Sequence, residues 1–427
     1  MLVIDIDSVG LDFCLRCQEW GHEIRLFTRK DPIRGRSRVG DGLVEKVPHW
    51  EPHLNWSDLI LITGNDYYLH DLEAIRKHYP VFGPPLEGMR LEIDRQYGMQ
   101  VLQSCGIEVP PHKVMKSYTE AEAFIRKNPK RWVMKPSNDR DGNSNKESSY
   151  CSKEPRDLIA ILRMLEKQGK KHGDFILQEF IEGIEIGVSC WFAAGKWGKI
   201  NENFEFKKLC NDDIGPNTGE MGSALKYVES SKLFTKVLKP LGAFLAAIDY
   251  RGDIDVNCIV DKKGGIWPLE FTARLGWPAF YIMQAEHLSD PAQWMLDLMN
   301  GKDTLEVSYD IAVGFVLMHM KNGAPPGMPI FGIDETNWKN VHLAGVRLGT
   351  APCLDGPDEE CFVAADEYML VASGTGKTVR KAKEAAKTVV ESIYVPKSPV
   401  RRTDIGDRLK EQIPQLQEHN IAMEWAY

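Results

Sequence analysis

The sequence predicts three domains: an N-terminal α/β domain, a central α+β domain and a β-rich C-terminal domain. Its 427 residues exceed one ordinary domain, for which about 150 residues is a usual length. Over the first hundred residues, apolar runs such as 59–63 alternate with helix-like stretches such as 69–78, which predicts a parallel sheet with helices on both faces. Beyond residue 307, strands and turns dominate until a helix at 379–393. We therefore expect domains at 1–88, 89–305 and 306–427.

The composition is that of a folded, water-soluble chain. Hydrophobic residues make up 43% and charged residues 27% of the sequence, which excludes disordered, collagen-like and coiled-coil classes. The net charge of −8 provides no chain-wide basic field for nucleic acid and leaves room only for a local patch. The nine cysteines contain a single CxxC pair, Cys14 and Cys17, without a second pair to complete a zinc site. Reduced thiols, no long apolar run and no basic leader predict a cytoplasmic protein.

The central region mixes helices and strands. We expect a helix at 89–106, which Pro110 and Pro111 would follow and terminate. Strands at 132–135 and 175–180 would flank a helix at 155–167, and a further helix is expected at 232–247. Two adjacent strands, 253–260 and 265–272, would be joined by the turn 261–264.

One apparent phosphate loop is a false match. The run Gly374-Thr-Gly-Lys-Thr378 lies between a predicted strand and a predicted helix. A phosphate loop also needs a glycine where this chain has Val371, because its backbone N–H groups must wrap the phosphates. We interpret the run as a turn in which Thr378 caps the following helix.

Two dispersed features favour nucleotide binding. Lys135 ends a short apolar strand and precedes the polar loop 137–146, so the lysine could hold a phosphate oxygen while the loop closes over it. The segment 177–185 leaves a strand through a hinge whose backbone could pair with an adenine edge. Glu185 would then reach the ribose hydroxyls. The alternative for each is a solvated charge on an ordinary strand end.

Four oxygen-bearing side chains lie on the two adjacent strands. Asp255 and Asn257 share one face because side chains alternate along a strand, and so do Glu270 and Thr272. Carboxylate and amide oxygens suit Mg²⁺, which prefers one or two carboxylates together with substrate phosphates. The pattern predicts a metal site, with solvated strand acids as the alternative.

In this order, these features resemble the ATP-grasp superfamily. The run Asp213-Ile-Gly-Pro-Asn-Thr-Gly-Glu-Met-Gly222 resembles the signature D-x-G-P-N-T-G-G-M-G of the phosphoribosylamine–glycine ligase family. Further matches occur in family order at Phe82-Gly-Pro, Leu91-Glu92, 269–276 and 402–406. The resemblance implies an N-terminal α/β domain, an ATP-grasp domain with a mobile lid at about 118–185, and a C-terminal domain.

The resemblance also implies an ATP-dependent carboxylate–amine ligase of purine biosynthesis that works through an acyl phosphate. Its cofactors would be ATP and Mg²⁺ or Mn²⁺, and its partners small molecules, namely an amino acid such as glycine and an amine, in a monomer or homodimer without membrane contact. The implied nucleotide-binding residues are Arg95, Lys135 and Lys207 for phosphates, Gln178, Glu179, Phe180 and Ile181 for adenine, and Glu185 for ribose. Glu270 would ligate the metal, supported by Asp255, Asn257 or Thr272. The implied catalytic residues are Lys207, Asp213, Asn217 and Arg274, and the substrate-binding residues are Gly215, Pro216, Asn217, Thr218, Gly219, Met221 and Arg274.

Departures from the family pattern are concentrated on the amine side. The opening G-N-G-x-R-E-H loop is replaced by 7–13, and I-G-P-E by 62–65. The family's G-D-P-E reads Gly276-Trp-Pro-Ala279, and its G-G-R reads Asp366-Glu-Tyr368. On the nucleotide side the changes are conservative, with Arg95 in place of lysine and Thr272 in place of asparagine.

Two alternatives follow from these departures. The first is the same chemistry with a different amine, carried by another sugar, a nucleoside or a modified base. The second is a non-catalytic relative that only binds nucleotide. Steady ADP release that requires both a carboxylate and an amine would separate an enzyme from a binding module.

Overall fold

The computed structural model describes residues 1–5, 9–28, 30–31, 35–64, 70–136, 149–169, 174–320, 327–397 and 399–427. The predicted polar loop 137–146 lies outside the described residues, as do Asp7, Ser8 and Asn65 of the substituted family motifs. None of the helices in the described part is long and apolar enough to cross a membrane.

The N-terminal region forms the predicted parallel sheet. Its five strands run in the order β5-β2-β1-β6-β7, and each described pairing is parallel. Residues alternate between two apolar cores, with Leu2 and Ile4 on one face and Val3 on the other. The elements are β1 (Leu2–Asp5), α1 (Leu11–Glu19), β2 (Arg25–Thr28), a small hairpin of β3 (Lys30–Asp31) and β4 (Gly35–Arg36), β5 (Glu45–Val47), β6 (Ile60–Ile62), α2 (His70–Ile75) and β7 (Val81–Phe82).

The helix expected at 89–106 is divided in two. Helix α3 spans Leu86–Ile93 and α4 spans Arg95–Ser104. Asp94 separates them in a non-helical conformation, and its side chain accepts a hydrogen bond from Tyr97 N at 3.1 Å. Asp94 ends the first helix because its side chain caps the second one. The spacing of apolar residues does not reveal such a break.

A four-stranded antiparallel sheet follows, in the order β10-β9-β11-β8. It contains β8 (His112–Met115), α5 (Tyr118–Lys127), β9 (Trp132–Pro136), β10 (Tyr150–Cys151), α6 (Pro155–Lys167) and β11 (Phe175–Glu179). This unit has its own apolar core, in which Ile125, Leu162 and Phe175 are buried. It corresponds to the segment expected to act as the lid.

An eight-stranded sheet forms the centre of the molecule, in the order β16-β15-β12-β13-β14-β17-β22-β19. Its first five strands are β12 (Gly183–Ala193), β13 (Lys196–Glu205), β14 (Gly222–Val228), β15 (Gly252–Asp261) and β16 (Ile266–Thr272). Strands β17 (Ile311–Met318), β19 (Val341–Leu343) and β22 (Tyr368–Gly376) continue the same sheet. Strands on both sides of the expected boundary at 306 therefore belong to one layer.

The expected helix at 232–247 is an irregular helical run. It consists of a π-helical turn at Phe234–Leu238, a 3₁₀ turn at Lys239–Leu241 and α7 at Gly242–Ala247. Pro240 lies in the 3₁₀ turn, where a residue without an N–H interrupts regular α-helical bonding. Helices α8 (Ala279–Gln284) and α9 (Gln293–Met299) precede the C-terminal strands.

The C-terminal region adds β18 (Pro329–Ile330), β20 (Val346–Ala351) and β21 (Glu359–Ala364) in a small second sheet. Helices α10 (Val379–Ser392) and α11 (Leu409–Gln417) follow. Thr378 is the N-cap of α10 and accepts a hydrogen bond from Lys381 N at 3.2 Å. The interpretation of this run as a capped turn is confirmed.

Candidate active site

The centre of the site is the carboxylate of Glu270, near the end of β16. Arg95 Nη1 donates to one of its oxygens at 2.5 Å, and Lys207 Nζ donates to the other at 3.1 Å. Partial burial opposes the charge of this carboxylate, but Lys207, Arg95 and Lys135 outweigh it and hold the pKa of Glu270 well below its usual value. Three cations from distant parts of the chain thus surround one anion.

Lys207 connects Glu270 to two further carboxylates. Its Nζ lies 2.7 Å from Glu205 Oε2 and 3.2 Å from Glu185 Oε1. Burial alone would lower the pKa of Lys207, yet Glu185, Glu205 and Glu270 raise it well above its usual value. The ammonium is therefore charged at neutral pH and is held at a fixed point.

Lys135 lies at the edge of this group, on β9. Its Nζ donates to the carbonyl oxygen of Leu269 at 2.9 Å, and the residue is 6% exposed. Burial lowers the pKa of Lys135 to about 8, with Glu270 acting in the opposite direction. The charge on this lysine is consequently sensitive to pH just above neutrality.

A polar cavity of about 180 Å³ opens beside the Lys207–Glu270 pair. Its lining includes Asn203, Asp253 and Asp255, whose side chains are at least nine-tenths buried. Burial raises the pKa of Asp253 to about 7 and also raises the pKa of Asp255. One carboxylate oxygen of each aspartate, and Oδ1 of Asn203, has no hydrogen-bond partner among the described residues. Buried oxygens without partners are costly, so the cavity floor is suited to a polar or cationic ligand.

Strand pairing brings the predicted metal ligands together. Asn257 pairs with Glu270, and Asp255 pairs with Thr272. Asn257 Nδ2 donates to Glu185 Oε1 at 2.6 Å and to Glu205 Oε2 at 2.7 Å, while its Oδ1 has no partner in the described part of the chain. Glu185, expected at the ribose, is thus located in the same polar network as Lys207.

The signature run 213–222 is only partly at the cavity. Gly219 and Glu220 line it, and the side chain of Met221 is fully buried in the core. Asp213 instead forms salt bridges with Arg402 at 2.7 Å and Arg408 at 3.0 Å.

The remaining residues of the signature support the loop. Asn217 donates to Ser149 O at 3.5 Å and forms an isolated bridge with Lys208. Thr218 donates from its N–H and from its hydroxyl to Lys207 O. Gly215 has a φ of +90°, and Pro216 O accepts from Leu209 N. These contacts hold the loop against the end of β13 and position Lys207.

The predicted adenine segment spans the end of β11 and the start of the connection to β12. Gln178 is buried, Glu179 forms a salt bridge with Lys130, and Arg131 stacks over the Phe180 ring with 3.5 Å to its centroid. Ile181 lies in the connection between the two strands. The segment links the four-stranded unit to the central sheet, at a hinge position.

Arg274 follows β16 and lies at the other end of the cavity. Its Nη2 donates to Glu92 Oε1 at 3.2 Å, and Glu92 Oε2 accepts from Ala273 N at 2.9 Å. Arg274 and Trp277 line both the polar cavity and a second, less polar cavity of about 230 Å³. The site therefore has two adjacent compartments, which share Arg274 and Trp277 as walls.

Five lining residues with carboxylate or amide side chains were not predicted as site residues from the sequence. They are Glu92, Asn203, Glu205, Glu220 and Asp253. Two-residue spacing was an available signal. Positions 203 and 205 share one face of β13, just as 253, 255 and 257 share one face of β15. The signal for Glu220 was its position in the signature run, where the family has a glycine. Burial raises its pKa well above the usual value, and it accepts a hydrogen bond from Ser223.

Comparisons with known proteins agree with this fold. Residues 93–279 match the family model of the phosphoribosylglycinamide synthetase ATP-grasp (A) domain. A phosphoribosylamine–glycine ligase of Ralstonia nicotianae is 24% identical over 344 residues, which cover 77% of this chain and 78% of that protein. The crystal structure of phosphoribosylamine–glycine ligase from Thermotoga maritima superposes with a TM-score of 0.70 at 22% identity, covering 95% of this chain and 100% of the other. A biotin carboxylase domain of Hydrogenobacter thermophilus, in complex with the magnesium salt of ADP, superposes with a TM-score of 0.61 at 14% identity. The match covers 100% of this chain and 99% of the other.

The fold, together with the match of residues 93–279 to an ATP-grasp domain, defines an ATP-grasp enzyme, a ligase that forms a C–N bond. Within that superfamily, the chain is similar to the phosphoribosylamine–glycine ligases and is divergent from them, at 24% identity to the Ralstonia enzyme. The predictions of the fold class, of the resemblance to this family and of an ATP-dependent carboxylate–amine ligase are confirmed.

Proposed function

We propose that the cavity beside Glu270 holds the terminal phosphates of ATP while a carboxylate substrate is activated. The convergence of Arg95, Lys135 and Lys207 on Glu270 is the observation that carries this proposal. Catalysis of phosphoryl transfer depends on positioned positive charge, because negative charge spreads over the phosphate oxygens in the transition state. Held by Glu270, the three cations are in place before the nucleotide binds.

The adenosine would bind toward the hinge between β11 and β12. Residues 178 and 179 end β11 and residues 180–182 connect it to the central sheet. Backbone groups of such a connection can pair with an adenine edge. Glu185 lies between this hinge and Lys207, at 3.2 Å from the ammonium. It would face the ribose or the phosphates that follow.

The donor set fits a divalent cation. Asn257 Oδ1 and Asp255 Oδ1 are buried and have no partner among the described residues, and they stand on the strand next to Glu270 and Thr272. Over the described ranges, no cluster of three or more His, Cys, Asp or Glu residues is arranged to hold a metal by itself. Phosphate oxygens would therefore complete the ligand set, as Mg²⁺ prefers. Such an ion would neutralise phosphate charge at Glu270.

The carboxylate substrate would bind near Arg274 and Gly219, beyond the phosphates. Its oxygen attacks the γ-phosphorus of ATP, the bond to the β-phosphate oxygen breaks, and an acyl phosphate and ADP result. The amine nitrogen then attacks the acyl carbon, phosphate leaves with the C–O bond electrons, and the nitrogen loses a proton as the amide forms. In this sequence Lys207 and Arg95 stabilise phosphate charge, while Arg274, held by Glu92, orients the acyl group.

We propose glycine, or another small amino acid, as the carboxylate substrate. The buried acids Asp253 and Asp255 line the cavity. Their oxygens would accept hydrogen bonds from a substrate that carries an ammonium group next to its carboxylate. Glycine is also supported by the similar proteins, which are named phosphoribosylamine–glycine ligase.

The test is a screen of amino acids and amines with ATP and Mg²⁺, in which ADP release and product mass are measured. The proposal expects ADP only when both substrates are present, together with a product whose mass equals the two joined with loss of water. Nucleotide binding without ADP release under any pairing would contradict the proposal and support a nucleotide-binding module. Reactions without amine and reactions with boiled protein are the controls.

A further inference from the structure

The second cavity lies directly beside the polar one and has different walls. Its volume is about 230 Å³, and its described lining is Val9, Arg274, Trp277, Ala344, Gly345, Asp366 and Tyr368. Arg274 and Trp277 also line the polar cavity. A molecule in the second cavity could therefore extend a reactive group to the place where the acyl phosphate forms.

Aromatic side chains form one wall of this cavity. The rings of Trp277 and Tyr368 have centroids 5.3 Å apart, and Trp277 also packs edge-on against Tyr281 at 5.1 Å. Gly219 N donates to the Tyr368 hydroxyl at 3.1 Å, which connects this wall to the signature loop. A Cβ at Gly219 would lie 3.4 Å from that hydroxyl and 3.5 Å from the Trp277 ring, so the loop is packed closely against the wall. The aromatic surface is thus held in a fixed position relative to the loop.

The indole nitrogen of Trp277 is closed off from the cavity. Trp277 Nε1 is buried and has no hydrogen-bond partner in the part of the chain that the structure describes. Trp277 nevertheless contributes to the lining of both cavities. It therefore offers a bound molecule the surface of its ring rather than a hydrogen-bond donor.

The charges of the cavity are unfavourable for a phosphate group. Among its described lining residues, Arg274 is the one cation, and its guanidinium already donates to Glu92 and to Leu275 O. Asp366 adds a carboxylate to the same lining. A phosphate dianion is usually held by several donors and by more than one cation, and this lining offers it repulsion from an acid instead. A flat uncharged group fits these walls better.

We propose that the amine substrate of this ligase carries a planar aromatic ring without a phosphate group, and that the ring packs against the wall formed by Trp277 and Tyr368, whose own ring planes are inclined at 61°. The nucleophilic nitrogen then lies at the boundary near Arg274, where the two cavities meet. This inference rests on the proposed ligase function. It differs from the family name in the chemistry of the amine. A phosphorylated sugar has no planar aromatic ring to pack on this wall, and the described lining offers its phosphate no cation besides Arg274.

The experiment compares benzylamine, cyclohexylmethylamine and phosphoribosylamine as acceptors, with glycine, ATP and Mg²⁺. Benzylamine and cyclohexylmethylamine have nearly equal size but differ in the planar π face. Stacking of a ring on an aromatic side chain predicts kcat/KM roughly 10-fold or more in favour of benzylamine. We expect phosphoribosylamine to be the slowest of the three.

Two substitutions test whether the aromatic wall of Trp277 and Tyr368 causes the preference for benzylamine. Trp277→Leu and, separately, Tyr368→Leu should reduce the benzylamine preference toward one, whereas Trp20→Leu, at a position 56% exposed, should retain it. Two independent wall variants are used because Trp277 also packs against Tyr281. The inference would be overturned if the wild-type ratio of kcat/KM for benzylamine to that for cyclohexylmethylamine were near one, or if this ratio were unchanged in both wall variants. Fastest turnover of phosphoribosylamine would also overturn it.

A separate reaction keeps this inference distinct from the proposed function. Hydroxylamine intercepts an acyl phosphate as a hydroxamate and needs no aromatic ring. Hydroxamate formed from glycine and ATP, together with equal use of the two ring amines, would reject the aromatic acceptor alone. Neither hydroxamate nor amide with any of the amines would reject the ligase function and this inference with it.

Discussion

Lys207 Nζ donates to Glu270 Oε1 across 3.1 Å, and the two residues come from separate strands of the central sheet, Lys207 two residues after β13 and Glu270 within β16. The other carboxylate oxygen of Glu270 accepts from Arg95 at 2.5 Å. Without this anion, Arg95, Lys135 and Lys207 would repel one another in a partly buried space. Glu270 thus holds together the cations that the proposed chemistry requires.

The first prediction concerns Glu270→Gln. The substitution removes the charge that assembles the cations and that would bind a divalent ion, so turnover should fall by roughly 100-fold or more. The fold should remain intact, because the side chain of Glu270 is 29% exposed and glutamine has the same shape. Turnover, the dependence of ATP binding on Mg²⁺ and the melting temperature would be measured together.

The control for this prediction is Glu182→Gln. Glu182 forms a surface ion pair with Lys262, and its side chain is 73% exposed. This variant should retain wild-type turnover because exposed ion pairs contribute little. Near-wild-type turnover of Glu270→Gln would remove Glu270 from the site, as would ATP binding that does not require a divalent cation.

The second prediction concerns the pH dependence of ATP use. Burial lowers the pKa of Lys135 to about 8, so the ammonium loses its proton as the pH rises from 7 to 9. Because only the protonated form attracts phosphate oxygens, kcat/KM for ATP should decline through this range with a midpoint near 8. Lys135→Arg should eliminate this decline, since a guanidinium remains charged over the whole range. Identical profiles for wild type and variant would assign the titration to another group.

How far the sequence predicts the site depends on the type of signal. The parallel pairing of the N-terminal strands and the cap at Thr378 follow from local alternation and local hydrogen-bonding chemistry, and both were predicted. The pairing of Asn257 with Glu270 could be anticipated because the two strands are adjacent. The proximity of Arg95 to Glu270 joins residues 175 positions apart, and it was expected from resemblance rather than from spacing.

Other features could not be predicted because tertiary packing determines them. Motif resemblance placed Asp213 at the substrate, whereas in the structure it pairs with Arg402 and Arg408. The buried state of Asp253 arises from its neighbours in three dimensions and not from the residues beside it in the chain. Likewise, the sequence did not predict that Trp277 and Tyr368 lie close together. They occur in two motifs that depart from the family pattern and are far apart in the chain.

The third prediction concerns stability away from the site. Glu202 is buried, and it accepts hydrogen bonds from Ser231 Oγ at 2.6 Å and from Trp425 Nε1 at 3.0 Å. Burial raises its pKa from 4.5 to about 7. The folded state therefore binds the carboxyl proton of Glu202 more tightly than the unfolded state does. The stability gained from this protonation is complete below about pH 4.5 and is lost as the pH rises through 7.

The measurement is the free energy of unfolding between pH 5 and pH 8. Relative to wild type, Glu202→Gln should gain on the order of 3 kcal/mol across this range, because the amide carries no charge to bury. Glu335→Gln, at an exposed position, should follow the wild-type profile. A difference between Glu202→Gln and wild type that does not change with pH would contradict this account of Glu202.

The central claim is that a carboxylate is activated as an acyl phosphate, and transfer of an oxygen isotope tests it most directly. The reaction would be run with ATP, Mg²⁺, an active amine and glycine labelled with ¹⁸O in its carboxylate, and the released phosphate would be analysed by mass. Attack of the carboxylate on the γ-phosphorus predicts one ¹⁸O atom in each phosphate, together with ADP and an amide that retains the other ¹⁸O. Unlabelled phosphate, or AMP and pyrophosphate as products, would contradict the acyl-phosphate mechanism.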